Sequence, residues 1–284
     1  MTPGLDAGFA ARCAALCPGF VAEPTRLRAR KSQLLAGVVD GLPVIAKRVA
    51  RPDAVWSWYL AREIAIYRAF AASPPGFRVP RFVAAEAGLL VIERVPGLPL
   101  ATRRRPMAAL DAATLQAFVA LRDQLAAVPA PVEGPPPTAV RNQLRERLLE
   151  DPTDAAWIRD GLARAARREL IAPALAARIA ERLPTGTAFA HGDLLLRNAL
   201  PGPILVDWEC AGSHPRDWDL ALLWTQLAPA SRARLETLAS PSILPLCAFA
   251  LVRELRFEQA YGRGQERTSA ELRAALDAVA ARLG

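Results

Sequence analysis

The sequence predicts an α+β chain in two lobes, a small β-rich lobe with one main helix over residues 1–95 and a larger helical lobe over residues 96–284. Three observations predict it. Apolar, β-branched runs cluster in the first third of the chain, separated by glycine-containing turns. Helical spacing of apolar residues dominates the rest. A chain of 284 residues is also too long for one small core and suits one large domain or two packed lobes.

Residues 1–16 have the pattern of a short amphipathic helix. Residues 33–39 and 42–49 are strand-like, and Asp40-Gly41 between them is a strong hairpin signal. Residues 54–72 read as a helix stopped by Ser73-Pro74-Pro75-Gly76. Residues 81–85 and 89–93 form two more strands around Ala87-Gly88, and Pro96-Gly97 ends the run. Helices follow over 110–127, 138–150 and 154–183, with a Pro-rich linker at 129–137. A non-helical patch spans 189–207, and helices near 218–227, 243–261 and 271–283 close the chain. There is no internal repeat.

Composition narrows the partners. The chain is 52% hydrophobic and 23% charged, as a folded globular protein is. A net charge of +8 favours anionic partners. The arginines are spread along helices, however, and no nucleic-acid module is recognisable. No apolar run reaches membrane-spanning length. Nucleic acid and membrane are therefore not expected as partners. Arg103-Arg104-Arg105, the tightest basic cluster, reads as a solvated loop. Cys13, Cys17, Cys210 and Cys247 lack zinc spacing and read as reduced thiols. With no signal-peptide pattern at the start, a cytoplasmic location is expected. There is no nucleophile elbow, P-loop or dinucleotide fingerprint.

The chemistry concentrates in two strings. Residues 188–198 read Ala-Phe-Ala-His-Gly-Asp-Leu-Leu-Leu-Arg-Asn, and residues 204–209 read Ile-Leu-Val-Asp-Trp-Glu. Phosphoryl transfer needs a positioned hydroxyl, a carboxylate to take its proton, and Mg²⁺ to neutralise phosphate oxygens. Mg²⁺ wants hard oxygen ligands. Asp193, Asn198 and Asp207 offer that set, with Asp193 facing the acceptor hydroxyl. Upstream, Lys47 ends a β run and Glu63 lies in the following helix. His214 reads as a turn residue.

The pattern H-G-D-x-x-x-x-N followed by hydrophobic-hydrophobic-D-W-E is similar to the signature of the aminoglycoside phosphotransferase and choline kinase-like family, which has a protein kinase-like fold. The resemblance runs from about residue 30 to about residue 225. It implies that Asp193 is the catalytic base, that Asn198 and Asp207 bind Mg²⁺, and that His191 braces the loop. It implies that Lys47 meets the α and β phosphates of ATP or GTP and that Glu63 holds Lys47. Residues 89–97 look like the interlobe hinge, so the Glu93 carbonyl and Val95 N–H would contact the base. Asp219 would accept backbone N–H groups of the catalytic loop. Glycine at 192 points to the small-molecule branch.

Two departures stand out. Residues 26–32 contain no glycine where nucleotide-binding loops have it, leaving Arg30, Lys31 and Ser32 to approach phosphate with side chains. Leu195 stands where a lysine is usual, and Arg197 is the candidate replacement. The expected acceptor is a hydroxyl of a small molecule, either an antibiotic (an aminoglycoside or a peptide antibiotic) or a metabolite. Asp160, Glu254 and Glu258 are the candidate carboxylates for a cationic acceptor, although a plain solvated helix face is the favoured reading of Glu254 and Glu258. The alternatives are a protein or regulatory kinase and an inactive kinase-like binding module. The stretch after Asp207 is too short for a typical activation segment, which disfavours a protein substrate. Either a monomer or a homodimer fits the sequence.

Overall fold

The computed structural model describes residues 7–28, 31–50, 53–129, 134–147, 149–154, 156–241, 243–261 and 266–283. Helix α1 (Ala7–Leu16) is followed by β1 (Phe20–Arg28), β2 (Ser32–Val39) and β3 (Leu42–Val49). Then come α2 (Ala54–Ala72), β4 (Phe82–Glu86) and β5 (Leu89–Glu93). The strands form one antiparallel sheet in the order β1-β2-β3-β5-β4. Asp40 and Gly41 join β2 to β3 with φ of 49° and 81°, the paired left-handed conformation that matches strand twist in a two-residue hairpin. Asp53 caps α2 by accepting from the N–H groups of Val55 and Trp56 at 2.9 and 3.1 Å.

Strand periodicity splits β5 between two cores. Leu89 and Val91 face the cluster under α1, with Phe9, Cys13, Phe20, Leu35 and Val44. Leu90 and Ile92 face Leu60, Ile64 and Phe70 of α2, in a cluster that continues into the helical part of the chain. Strand β1 is absent from the sequence expectation. It contains Pro24 and breaks register between Ala22 and Arg26, so it lacks a clean alternation. Its place at the sheet edge tolerates both features.

The helical part opens with α3 (Ala112–Ala126), α4 (Thr138–Arg147), α5 (Trp157–Arg167) and α6 (Pro173–Arg182). Residues 154–183 are thus two helices rather than one. The break carries Glu169 at φ 57°, and Pro173 begins α6. Short strands β6 (Thr187–Ala190), β7 (Ala199–Leu200), β8 (Ile204–Leu205) and β9 (Gly212–Pro215) come next. The chain ends with α7 (Trp218–Trp224), α8 (Pro229–Leu238), α9 (Ile243–Tyr261) and α10 (Glu266–Arg282). Helix α7 is buried along its whole length and forms the centre of this part. Helix α8 was not expected from the sequence. His214 is a core residue of β9, fully buried and edge-on to Trp157, rather than a turn residue. The four cysteines are free and buried. Among the described residues, no helix is long and apolar enough to cross a membrane.

Candidate active site

The loop from His191 to Asn198 leaves β6, which pairs with β9. Gly192 has φ 81°, and a Cβ there would lie 2.1 Å from the Cys210 carbonyl oxygen. Only glycine fits this turn. The Asp219 carboxylate, at the start of α7, accepts the N–H groups of His191 and Gly192 at 2.7 and 2.9 Å. Burial raises its pKa, and these two N–H groups oppose that rise. Trp218 Nε1 donates to the Gly192 carbonyl at 3.1 Å. His191 Nε2 donates to the Val206 carbonyl at 3.0 Å, tying the loop to the strand that delivers Asp207. Gln226 closes the other side. Its Oε1 accepts from Leu196 N–H at 2.7 Å and its Nε2 donates to the Leu194 carbonyl at 3.1 Å.

The β7–β8 pair brings the two strings together. Val206 N–H donates to the Asn198 carbonyl at 2.9 Å, so Asn198 sits beside Asp207. Asn198 Nδ2 donates to the Asp193 carbonyl and to Asp193 Oδ2 at 3.0 and 3.1 Å, leaving its Oδ1 for other partners. Asp193 Oδ1 accepts from Arg253 at 2.7 Å. Burial pushes the Asp193 carboxyl up, but Arg253, Arg104 and Arg197 outweigh it and hold the group well below the carboxylate range.

The second half of the site is ionic. Lys47, opposite Leu90 in the β3–β5 ladder, donates to Glu63 of α2 at 2.6 Å, to Asp207, and to Glu209 at 3.4 Å. Lys31 pairs with Glu209 and lies 4.0 Å from Asp207. Burial lowers the Lys47 pKa, yet Asp207 and Glu63 lift it above the usual lysine value. The same pairing holds Asp207 low against the opposing effect of burial. Asp207 has a left-handed backbone, φ 67° and ψ 57°, which a non-glycine residue adopts at a cost. Its neighbour Trp208 holds it there. Trp208 is fully buried against Phe70, Phe77, Phe189 and His191, so Asp207 and Glu209 on either side of it face the cleft. Oxygens of Glu63, Asp207 and Glu209 lie within 4.8 Å of one another. This all-oxygen set suits a hard divalent cation such as Mg²⁺.

The other sequence-derived residues are placed as follows. Ser32 is buried in β2 opposite Val49, and the adjacent Lys31 is the one lining the cleft. Arg30 lies outside the described residues. Glu93 ends β5, and its carboxylate accepts Arg81 N–H at 3.0 Å. Val95 packs on Leu200 and Ile204. The three carboxylates expected near a cationic acceptor form no acidic wall. Asp160 is half-exposed near Arg145 and Arg164, and is not among the residues that line the cleft. Glu254 takes Arg104 at 2.8 and 2.7 Å, and Glu258 takes Arg105 at 2.7 Å. Arg104 and Arg105 are therefore docked on α9 and do not form a solvated loop. Lys31 was expected at the phosphates and does line the cleft, whereas sequence reasoning missed Glu150, Glu209, Gln226 and Arg253. Glu209 stood inside the recognised string, while the rest are joined to the site by long-range contacts.

A five-stranded sheet lobe packed on a helical lobe, with buried Asp193 and the Lys47–Glu63–Asp207 cluster between them, has the architecture of a kinase-like phosphotransferase. The chain belongs to the phosphotransferase enzyme family, whose sequence profile matches residues 38–241. Solved structures agree in fold. The GDP and kanamycin complex of APH(2")-IIia superposes with TM-score 0.62 at 14% identity, covering 98% of this chain and 99% of that one. The macrolide 2'-phosphotransferase MphH from Brachybacterium faecium gives 0.58 at 18% identity, covering 98% and 97%. A thermostable mutant of APH(4)-Ia with ADP and hygromycin B gives 0.60 at 16% identity, covering 98% of both chains. No curated protein matches the chain by sequence.

Proposed function

We propose that this protein transfers the γ-phosphate of ATP or GTP to a hydroxyl of a small molecule, with the lobes meeting at residues 95 and 96. The observation that carries this reading is the convergence in one cleft of Asp193 and Asn198 with the Lys47–Glu63–Asp207 cluster. Lys47, held by Glu63, would bind the α and β phosphates. Asn198, Asp207 and Glu209 would hold Mg²⁺, which neutralises phosphate oxygens. The hinge backbone at Glu93 and Val95 would take the base. Asp193, ionised and fixed by Asn198, receives the acceptor proton. The acceptor oxygen bonds to the γ-phosphorus while the bond to the bridging oxygen breaks, and that electron pair leaves with the nucleoside diphosphate.

Two supports favour a small acceptor. The structural relatives named above act on or bind aminoglycosides and a macrolide by their descriptions. The stretch from Asp207 to Asp217 is also filled by one 3₁₀ turn and β9, with no room for an activation segment.

The test is a hydroxyl-compound screen read by nucleoside diphosphate release, with ATP and GTP in parallel. Asp193→Asn should lower kcat at least a thousandfold and leave Mg-nucleotide affinity within about threefold. Wild-type turnover by that variant removes Asp193 from its role.

A further inference from the structure

The cleft has a volume of about 870 Å³, room for more than a nucleotide's phosphates. Away from Lys47, its wall is built of arginine. Arg104, Arg147, Arg197, Arg253 and Arg256 line it, against Glu150 and Asp193. The carboxylates here are already spent. Arg253 bridges Glu150, Asp193 and Glu254. Arg104 grips Glu254 with two hydrogen bonds and lies 4.0 Å over the Phe257 ring. Arg147 takes Asp53 at 2.9 Å. These guanidinium groups are fixed by packing as well as charge, so an incoming ammonium would have to displace them to reach a carboxylate.

Arg197 differs from the others. It is exposed, stands one residue before Asn198, and has no hydrogen bond or ion pair among the described residues. Its charge still reaches Asp193, whose carboxyl it helps to hold low. A wall of this kind repels a polycation. It offsets the repulsion between a negatively charged acceptor and the triphosphate, and its planar forks match carboxylate or phosphate oxygens.

We infer that the acceptor is a hydroxylated anion, its carboxylate or phosphate held by Arg197 and Arg256 while its hydroxyl faces Asp193. This rests on the phosphotransferase reading. The experiment uses the full chain loaded with Mg²⁺ and a non-hydrolysable ATP analogue, whose own binding is measured first. Glucuronate, glucose 6-phosphate, glucose and glucosamine are then titrated as probes with a common ring and different charge. At least one of the two anions should bind tenfold or more tightly than glucose and glucosamine, and which one separates a carboxylate from a phosphate acceptor. The preference should collapse in Arg197→Ala/Arg256→Ala. Equal affinities, a preference for glucosamine, no binding of either anion, or a preference that survives the double substitution overturns the inference. Failure of the ATP analogue to bind instead overturns the phosphotransferase reading itself.

Discussion

At the residue scale, burial and charge compete over each titratable group, and the winner differs between neighbours. Asp193 is buried, but arginine keeps it ionised through the neutral range. His214 is fully buried as well. Its Nε2 donates to the Cys210 carbonyl at 2.9 Å and its Nδ1 has no partner. Burial lowers its pKa from 6.5 to about 4 against the opposing hydrogen bond to the Cys210 carbonyl, and the charges of Arg62 and Arg253 act in the same direction as burial. The unfolded chain therefore binds a proton at this site between pH 6.5 and 4 that the folded chain refuses. The stability this neutral histidine supports is fully present above pH 6.5 and is lost as pH falls toward 4. The depression of about 2.5 units corresponds to a loss of about 3 kcal/mol. Urea melts of the wild type and His214→Gln across that window should converge as pH falls, because the substitution removes the titration. Parallel curves would place the proton uptake elsewhere.

At the scale of elements, α9 is the helix that completes the site. It delivers Arg253 and Glu254 to a loop built by β6 and α7, and nothing in its own periodicity announces this. The hairpin at Asp40 and Gly41 and the string from His191 to Asn198 were legible because each is made by adjacent residues. The buried ion network was not legible. Arg253 meets Asp193 across 60 residues and Glu150 across 103, and Arg104 meets Glu254 across 150. A sequence pattern gives Glu254 and Glu258 a shared helix face but says nothing of the arginines that dock on it. Strand β1 escaped for a different reason, since Pro24 and its register break erase the alternation. The network makes a definite energetic claim. Arg253→Met leaves Glu150 buried without its partner, which should cost about 3–5 kcal/mol. Adding Glu150→Gln should recover at least about 1 kcal/mol, because a neutral amide is cheaper to bury unpaired. Additive losses in a denaturant double-mutant cycle would count against a coupled pair. The acid limb of kcat/KM should also move up in Arg253→Met, as Asp193 loses its nearest cation.

At the scale of the molecule, the two lobes are joined in two ways with different consequences. Behind the cleft they share one apolar core, where Phe70 of α2 meets Trp208 edge-on at 5.1 Å between ring centroids. At the mouth they are joined by charge, with Lys47 and Lys31 of the sheet lobe against Asp207 and Glu209 of the helical lobe. The apolar join offers no ligand to a cation, whereas the ionic one consists of the same oxygens a divalent cation would use. A Mg²⁺ ion bound there would therefore compete in part with Lys47 for Asp207 and Glu209. Lys47→Met should lower Tm in the absence of metal, since Glu63 is buried beside two other carboxylates. Mg²⁺ without nucleotide should then raise Tm more in the variant than in the wild type, by up to about 2.7 kcal/mol of added stability at a hundredfold excess over Kd. In Lys47→Met/Asp207→Asn that extra response should disappear. Equal Mg²⁺ shifts in wild type and Lys47→Met would mean that the ion sits clear of the lysine and that the ionic join between the lobes persists when the metal is bound.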